Sequence, residues 1–249
     1  MTNPHITSAK DMALDYAKVV LYGPPGSGKT TAATTWPKPL VLSAESGLLS
    51  VRDKDIDVWT IDKWEDLEES FAYLKHEKHD YLSVVIDSLT EVQKKLNEYI
   101  VRAFPTVKRG YTDLVSESDW GANIDKMRKL CRAFRDLPMN VVFIALSQDV
   151  EVDGENVTRP ALNGKTLPDE LCGWCDAVVY CPGPQKDEEG IQHYLGQTVA
   201  AKGRRAKLRV PPFGTWTPPA VIPLTFEALH RAMFPELHKP RAIKEQRNA

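Results

Sequence analysis

Residues 22–31 read YGPPGSGKTT, and this stretch decides the fold. Gly23, Gly28, Lys29 and Thr30 complete the pattern G-x-x-x-x-G-K-[S/T], which is typical of loops that bind nucleotide phosphates. A β-branched apolar run precedes the loop and a helical pattern follows it, so the local order is strand, loop, helix. This context predicts a P-loop; the alternative is a glycine-rich turn that binds no ligand.

The loop offers several kinds of contact to a nucleotide. Its glycines permit backbone angles and a close approach that let N–H groups face the phosphates, and the following helix adds its dipole. Lys29 is expected to neutralise the β- and γ-phosphates, and the Thr30 hydroxyl is a hard oxygen ligand suited to Mg²⁺. The expected nucleotide-binding residues are Gly23, Pro24, Pro25, Gly26, Ser27, Gly28, Lys29, Thr30 and Thr31.

The composition sets limits on the rest of the chain. Its 249 residues with 42% hydrophobic content can bury a full core, and we expect one domain over residues 1–234 with a mobile basic tail at 235–249. The net charge is −2, so any contact with nucleic acid must be a local patch. No apolar run approaches the roughly 20 residues that span a bilayer, and no secretory segment is present. We therefore expect a cytoplasmic protein that does not contact membranes.

Strand and helix patterns alternate along the first two thirds of the chain. The nearly continuous apolar run at 81–87 is typical of a strand covered on both faces of a parallel sheet. An Asp-Gly turn signal at 153–154 predicts a β-hairpin, and further strands follow at 175–181 and 192–201. We therefore predict an α/β fold: a doubly wound, mostly parallel sheet with antiparallel strands towards the C-terminal end. The other expected strands are 18–22, 39–44, 57–61 and 140–147, and the expected helices are 29–36, 64–78, 88–104, 120–137 and 225–234.

The chain has four cysteines, three of which cluster around the motif CGWC at 172–175. In a chain of intracellular character we expect reduced thiols rather than disulfides. A zinc site remains open, although structural zinc usually shows two complete ligand pairs. The favoured interpretation is that Cys175 and Cys181 begin and end a buried strand.

Two acidic residues are candidates for chemistry at the phosphates. Asp87 ends the strand 81–87, where it can orient Mg²⁺ or cap the next helix. Many AAA+ ATPases with the same loop place a glutamate directly after this aspartate, but here Ser88 follows. Glu45 lies just past the strand 39–44, at the carboxyl edge where parallel sheets bind ligands, and is either the general base or a solvated loop residue.

Four segments resemble those of RecA-type recombinases and occur in that family's order over roughly residues 18–215. LVLSAESGLL (40–49) resembles the core strand that ends with the catalytic glutamate, and VVIDSLTEV (84–92) resembles the Walker B strand. VVFIALSQDV (141–150) resembles the strand that ends in a glutamine sensing the γ-phosphate. AAKGRRAKLRVPPF (200–213) resembles the segment whose basic residues reach the ATP of a neighbouring subunit.

The resemblance implies a RecA-like P-loop NTPase, similar to short phage proteins with a minimal RecA core. It implies an ATPase stimulated by single-stranded DNA that acts in annealing or recombination with ATP and Mg²⁺ as cofactors. It also implies a homo-oligomer with ATP near the subunit interfaces, and a single-strand-binding protein as a further partner. Thr30 and Asp87 would bind the metal. The implied catalytic residues are Lys29, Glu45, Gln148 as sensor, and Lys202 and Arg204 acting in trans.

Three segments carry basic residues suited to DNA. KGRRAKLR (202–209) holds five basic residues in eight, although a solvated basic face is the alternative interpretation. The connection 105–119 and the region 149–170 combine basic side chains with acidic ones that dilute their charge. The basic and aromatic candidates there are Lys108, Arg109, Tyr111, Arg159 and Lys165.

The main alternative function is a P-loop nucleoside or small-molecule kinase. In such a kinase the basic run at 202–209 would belong to a lid over the transferred phosphoryl group. A GTP switch is disfavoured because the sequence contains no N-K-x-D-like guanine signature. Stimulation by single-stranded DNA would separate the recombinase from the kinase.

Overall fold

The computed structural model describes residues 16–45, 48–103, 116–210 and 217–235. Within these ranges it contains eleven strands, six α-helices and a short 3₁₀ turn at Leu48–Val51. The strands are β1 (Lys18–Gly23), β2 (Pro39–Ser43), β3 (Asp57–Thr60), β4 (Ser83–Asp87), β5 (Asn140–Val152), β6 (Glu155–Pro160), β7 (Ala177–Tyr180), β8 (Pro184–Lys186), β9 (Gln192–Gln197), β10 (Lys207–Leu208) and β11 (Val221–Pro223). The helices are α1 (Lys29–Ala33), α2 (Trp64–His76), α3 (Leu89–Ala103), α4 (Glu117–Arg135), α5 (Leu167–Trp174) and α6 (Phe226–Met233).

Six parallel strands form the centre of the sheet in the order β3-β2-β4-β5-β1-β7. Beyond β7 the sheet continues with β9 and β11, which are antiparallel to their neighbours. The predicted fold class is confirmed: a doubly wound, mostly parallel α/β sheet with antiparallel C-terminal strands. Because β1, β2 and β4 are parallel, their carboxyl ends meet at one edge of the sheet, and this edge carries the site.

Each face of the sheet is covered by helices because successive strand residues point to opposite faces. Val20 and Tyr22 of β1 face a core formed with α2, α3, α4 and α5, whereas Val19 and Leu21 face a second core with α1 and α6. The central strands β1 and β4 are buried along most of their length, as their continuous apolar sequences predict. None of the described helices is both long and apolar enough to cross a bilayer.

The predicted hairpin is present and longer than expected. β5 extends to Val152 and pairs with β6 through a turn at Asp153 and Gly154, whose φ angles are 53° and 81°. Positive φ at both central residues is what a two-residue type I′ turn requires, and Asp-Gly suits it. The hairpin therefore projects from the same strand that runs between β1 and β4.

Several elements differ from the sequence prediction. Helix α4 begins at Glu117 instead of Trp120, because Ser116 caps it and exchanges hydrogen bonds with Asp119 in a capping box. Helix α5 was not predicted, since it is only eight residues long and its apolar pattern is correspondingly short. Strand β11 lies between the predicted strand 192–201 and the predicted helix 225–234, where no strand was expected. The candidates Lys108, Arg109 and Tyr111, and the tail from residue 236, lie outside the described residues.

Candidate nucleotide-binding site

The P-loop connects the end of β1 to the first turn of α1, as the motif predicts. Gly26 and Gly28 have φ angles of 72° and 82°, in the left-handed region that glycine tolerates best. Gly23 is required for a different reason: a Cβ there would lie 2.1 Å from the carbonyl oxygen of Cys181 on the chain following β7. The glycines thus fix both the curvature of the loop and its close contact with the neighbouring strand.

Lys29 is buried inside the loop, with 7% of its surface exposed. Its ammonium group donates to the carbonyl oxygens of Gly23 (3.0 Å) and Pro24 (2.8 Å) and to the Ser27 hydroxyl (3.1 Å). Burial lowers the pKa of this amine, and the nearby Asp87 carboxylate partly offsets the shift. The loop carbonyls therefore hold the Lys29 ammonium group within the loop. When a nucleotide binds, phosphate oxygens can replace these carbonyls as hydrogen-bond acceptors.

Thr30 and Asp87 meet at the start of α1, although they come from different segments. The Thr30 hydroxyl donates to Asp87 Oδ2 at 2.7 Å. Burial raises the pKa of Asp87 to about 6, and the hydrogen bond from Thr30 opposes that shift. A hydroxyl and a carboxylate at one point are hard oxygen donors of the kind that Mg²⁺ prefers. The two predicted metal ligands thus fit Mg²⁺.

Glu45 and Ser88 face each other at the ends of two adjacent strands. β2 and β4 are paired in register up to Ser43 and Asp87, so the residues that follow lie side by side. The Ser88 hydroxyl donates to Glu45 Oε1 at 2.5 Å. The peptide bond between Asp87 and Ser88 is cis. The position that holds an acid in many AAA+ ATPases is thus occupied by a serine that orients an acid from the neighbouring strand.

A cleft of about 700 Å³ joins these groups. Its walls are the loop residues 25–31 together with Glu45, Asp87 and Ser88, and its size suits a nucleotide. The residues of the cleft that the sequence analysis missed include Glu91 and Tyr194. Glu91 lies in the first turn of α3 and pairs with Lys94 (2.6 Å). Because it follows the strand-ending Asp87 closely in the sequence, its place at the same sheet edge could have been predicted. Tyr194 comes from the distant β9, and no local pattern indicates it.

Three predicted catalytic residues lie outside this cleft. The Gln148 side chain donates to the carbonyl oxygens of Pro160 and Leu162, both at 3.2 Å, and so is held within the hairpin region. Lys202 is exposed in a turn, and the Arg204 guanidinium lies 4.8 Å from the centre of the Tyr180 ring. The structure brings together Lys29, Thr30, Glu45 and Asp87, but not the sensor glutamine or the two basic residues.

The basic segment 202–209 is mostly paired within the chain. Arg205 and Arg209 form ion pairs with Asp169 (3.0 Å) and Asp176 (3.1 Å). The Lys207 ammonium donates to the carbonyl oxygen at the C-terminal end of α5, that of Cys172 (2.6 Å). These contacts hold α5 against the sheet. Three of the five basic side chains are therefore bound to acidic or carbonyl groups of the same chain.

Arg159 is buried, contrary to the expectation that it is available for DNA. Its Nη1 donates to Asp169 Oδ2 (3.2 Å) and to the carbonyl oxygen of Lys165 (3.1 Å). Arg159 is therefore paired with Asp169 in the first turn of α5. The Lys165 side chain itself is exposed.

The cysteines are reduced thiols in this structure. Cys175 and Cys181 are buried on either side of β7, close to the predicted strand ends. Burial raises the pKa of the Cys181 thiol to about 12, and the same cause raises the pKa of Cys172 to about 12. Such thiols are protonated at neutral pH and are weak nucleophiles and metal ligands.

The chain belongs to the AAA domain family AAA_24, whose model matches residues 15–210. It is therefore an AAA-type P-loop ATPase domain, and nucleotide binding is implied by that family. None of the curated proteins matches the chain.

Two solved structures illustrate what the fold is similar to. One is a prototypical ATPase from the type III secretion system of pathogenic bacteria, with 15% identity, a TM-score of 0.40 and coverage of 70% of this chain and 51% of that chain. The chain thus spans about half the length of that ATPase. The other is the flagellar accessory protein FlaH from Methanocaldococcus jannaschii, with 8% identity, a TM-score of 0.44 and coverage of 83% of both chains.

Proposed function

We propose that this ATPase domain hydrolyses ATP with Glu45 as the general base and acts on single-stranded DNA in annealing or recombination, working as a homo-oligomer. The observation that carries the proposal is the hydrogen bond from Ser88 to Glu45 in the same cleft as Lys29 and the Thr30–Asp87 pair. A base must lie within a hydrogen bond of its water, and Glu45 is the acid held at the sheet edge facing the loop.

Each residue of the cleft then has a defined role. Lys29 and the loop N–H groups bind the β- and γ-phosphates, while Thr30 and Asp87 hold Mg²⁺. When bound, Mg²⁺ supplies charge neutralisation at the phosphates. Glu45 accepts a proton from the attacking water, and Ser88 keeps its carboxylate aimed at the place where that water must lie.

Hydrogen bonds between the cleft and the β5–β6 hairpin support coupling to DNA. Thr90, next to Glu91, accepts from the backbone N–H of Leu146 and donates to the carbonyl oxygen of Ala161, both at 3.1 Å. Gln93 on α3 accepts from the N–H of Asn163 (2.7 Å). A ligand that moves the segment after the hairpin would therefore act on the first turn of α3, which carries Glu91 and directly follows Ser88 at the cleft.

Two basic residues that form no ion pair support action across an interface, although the Arg204 guanidinium also packs on the Tyr180 ring. Among the described residues, Lys202 and Arg204 have no acidic partner, in contrast to Arg205 and Arg209. Neither residue lines the cleft of its own chain. In the proposed oligomer each is assigned to the nucleotide of a neighbouring subunit. A single-strand-binding protein is proposed as a further partner on the strength of the family resemblance.

The test is steady-state ATP hydrolysis with and without single-stranded DNA over a range of protein concentrations. We expect stimulation by DNA and a specific activity that rises with protein concentration. Stimulation by a small acceptor, with DNA inert, would favour the kinase instead. Activity independent of both DNA and concentration would contradict the recombinase proposal.

Mixing two impaired variants tests action in trans. Arg204→Ala lacks the basic residue and Glu45→Gln lacks the base, so mixed oligomers contain some complete sites. Partial recovery of hydrolysis is expected in the mixture. Absence of recovery at every mixing ratio would argue against a role of Arg204 across the interface.

A further inference from the structure

Tyr194 closes the cleft on the side of the P-loop. Its ring packs on Gly28 so tightly that a Cβ at that glycine would lie 2.5 Å from Tyr194 Cδ1. The residue is nevertheless 39% exposed and lines the cleft together with Lys29 and Thr30. It is the one aromatic residue among the described residues that form the cleft walls. A large ring with one side on the loop and part of its surface open is available to a ligand.

The strand that carries Tyr194 is paired on both sides, and the side chain itself makes a hydrogen bond. β9 is paired with β8 on one side, where Tyr194 lies opposite Pro184, and with β11 on the other. The carbonyl oxygen of Tyr194 accepts from the N–H of Leu224 (3.0 Å), and its hydroxyl accepts from Gln192 Nε2 (3.3 Å). The ring is thus presented from a paired strand, which reduces the entropy lost when a ligand packs on it.

The charged groups of the cleft divide it into two parts. Lys29 binds the phosphates at the loop, Thr30 and Asp87 would hold Mg²⁺ beside them, and Glu45 lies where the water attacking the γ-phosphate is proposed. We therefore expect the uncharged ribose and base of a nucleotide to lie along the rest of the wall. Tyr194 supplies the aromatic surface there, and a nucleobase gains most from such a surface by stacking.

We propose that Tyr194 binds the nucleobase by stacking. This inference rests on the proposed function, since it concerns the nucleotide of the same site. Stacking is tolerant of base identity because every base has a π-face, so Tyr194 gives affinity for nucleotides in general rather than selection of adenine.

The test compares ATP with inorganic tripolyphosphate, which carries the phosphates but no base. Calorimetric titration in the presence of Mg²⁺ gives the affinity of each probe for the wild-type protein, Tyr194→Ala and Tyr194→Phe. We expect Tyr194→Ala to weaken ATP binding by roughly 5- to 150-fold and to leave tripolyphosphate binding unchanged. Tyr194→Phe keeps the ring and should bind both probes like the wild type.

Two further variants make the result decisive. Tyr194→Leu keeps apolar packing on Gly28 without a π-face and should lose ATP affinity as Tyr194→Ala does, with melting temperature as the check on folding. Lys29→Ala should weaken both probes. If Tyr194→Ala leaves ATP affinity intact, or weakens both probes equally, the stacking role is overturned while the phosphate site stands. If Lys29→Ala changes neither affinity, the proposed function and the role of Tyr194 are both overturned.

Discussion

The nucleotide cleft and the basic segment 202–209 are both predicted from the sequence, but they differ in what their side chains contact. In the cleft, Lys29 and Thr30 meet Asp87 and Glu45, which come from two other strands. In the basic segment most charges are used within the chain, since Arg205, Lys207 and Arg209 bind acids or carbonyls. Residues at the carboxyl ends of parallel strands can thus be predicted to share one site. A run of basic residues, in contrast, does not reveal which of its side chains lack an acidic partner in the fold.

The largest expected effect is at Glu45. Glu45→Gln should lower kcat for ATP hydrolysis by about 10²- to 10⁴-fold, because loss of a general base has that magnitude. Nucleotide affinity should stay within a few-fold of the wild type, as measured by titration. Glu91→Gln is the matched control, since Glu91 is an acid of the same cleft that pairs with Lys94. A larger loss of kcat in Glu91→Gln would transfer the role of base to Glu91.

Ser88 should have a smaller effect on the same reaction. Ser88→Ala removes the hydroxyl that donates to Glu45, so kcat should fall by roughly 10- to 100-fold, the equivalent of one hydrogen bond to a charged group. Because Ser88 acts through Glu45, KM for ATP should change little. Ser50→Ala, at another serine of the cleft wall, is the control and should leave kcat unchanged. A change confined to KM would show that Ser88 serves nucleotide binding instead.

The ionisation of Asp87 is expected to make the free energy of unfolding depend on pH. Its pKa is about 6 in the fold and 3.8 as the ordinary value, so the folded protein binds this proton more tightly than the unfolded chain. The stabilisation by the protonated carboxyl is complete below pH 3.8 and is lost as pH rises through 6.

Asp87→Asn should therefore stabilise the nucleotide-free protein at pH 8 by up to about 3 kcal/mol, while abolishing Mg²⁺-dependent nucleotide binding. Near pH 4 the two proteins should have nearly equal free energies of unfolding, measured in urea. A stability difference of the same size at both pH values would show that ionisation of Asp87 is not its cause.

The smallest effects are expected in the basic segment. Arg205→Ala and Arg209→Ala each remove an exposed ion pair and should lower the free energy of unfolding by no more than about 1 kcal/mol. Neither should change DNA-stimulated hydrolysis, whereas Arg204→Ala should reduce it and, by removing the contact with the Tyr180 ring, lower the free energy of unfolding by no more than about 1 kcal/mol. Equal losses of stimulation in all three variants would indicate that the whole segment binds DNA.

Local patterns were enough to predict the centre of the fold. The strands β1 and β4, the loop between β1 and α1, and the Asp153-Gly154 turn all follow from apolar runs and turn residues within a few positions of each other. The positions of Asp87 and Glu45 at the site follow in turn, because parallel strands bring their carboxyl ends to one edge.

Long-range pairing could not be predicted in the same way. The contact of Tyr194 with Gly28 depends on how β9 pairs with β7 and β11, and the burial of Arg159 depends on α5 bringing Asp169 beside it. Gln148 was expected at the end of its strand, but β5 continues to Val152, and the Gln148 side chain bonds to carbonyl groups at the end of β6 and just after it. Sequence spacing contains no signal for such partners.

The role of Glu45 is tested most directly by a crystal structure of the wild-type protein with Mg²⁺ and a non-hydrolysable ATP analogue. We expect the Glu45 carboxylate to lie about 3 Å from a water placed in line with the γ-phosphate, still bonded to Ser88. A water in that position held by Glu91, with Glu45 turned towards solvent, would contradict the account.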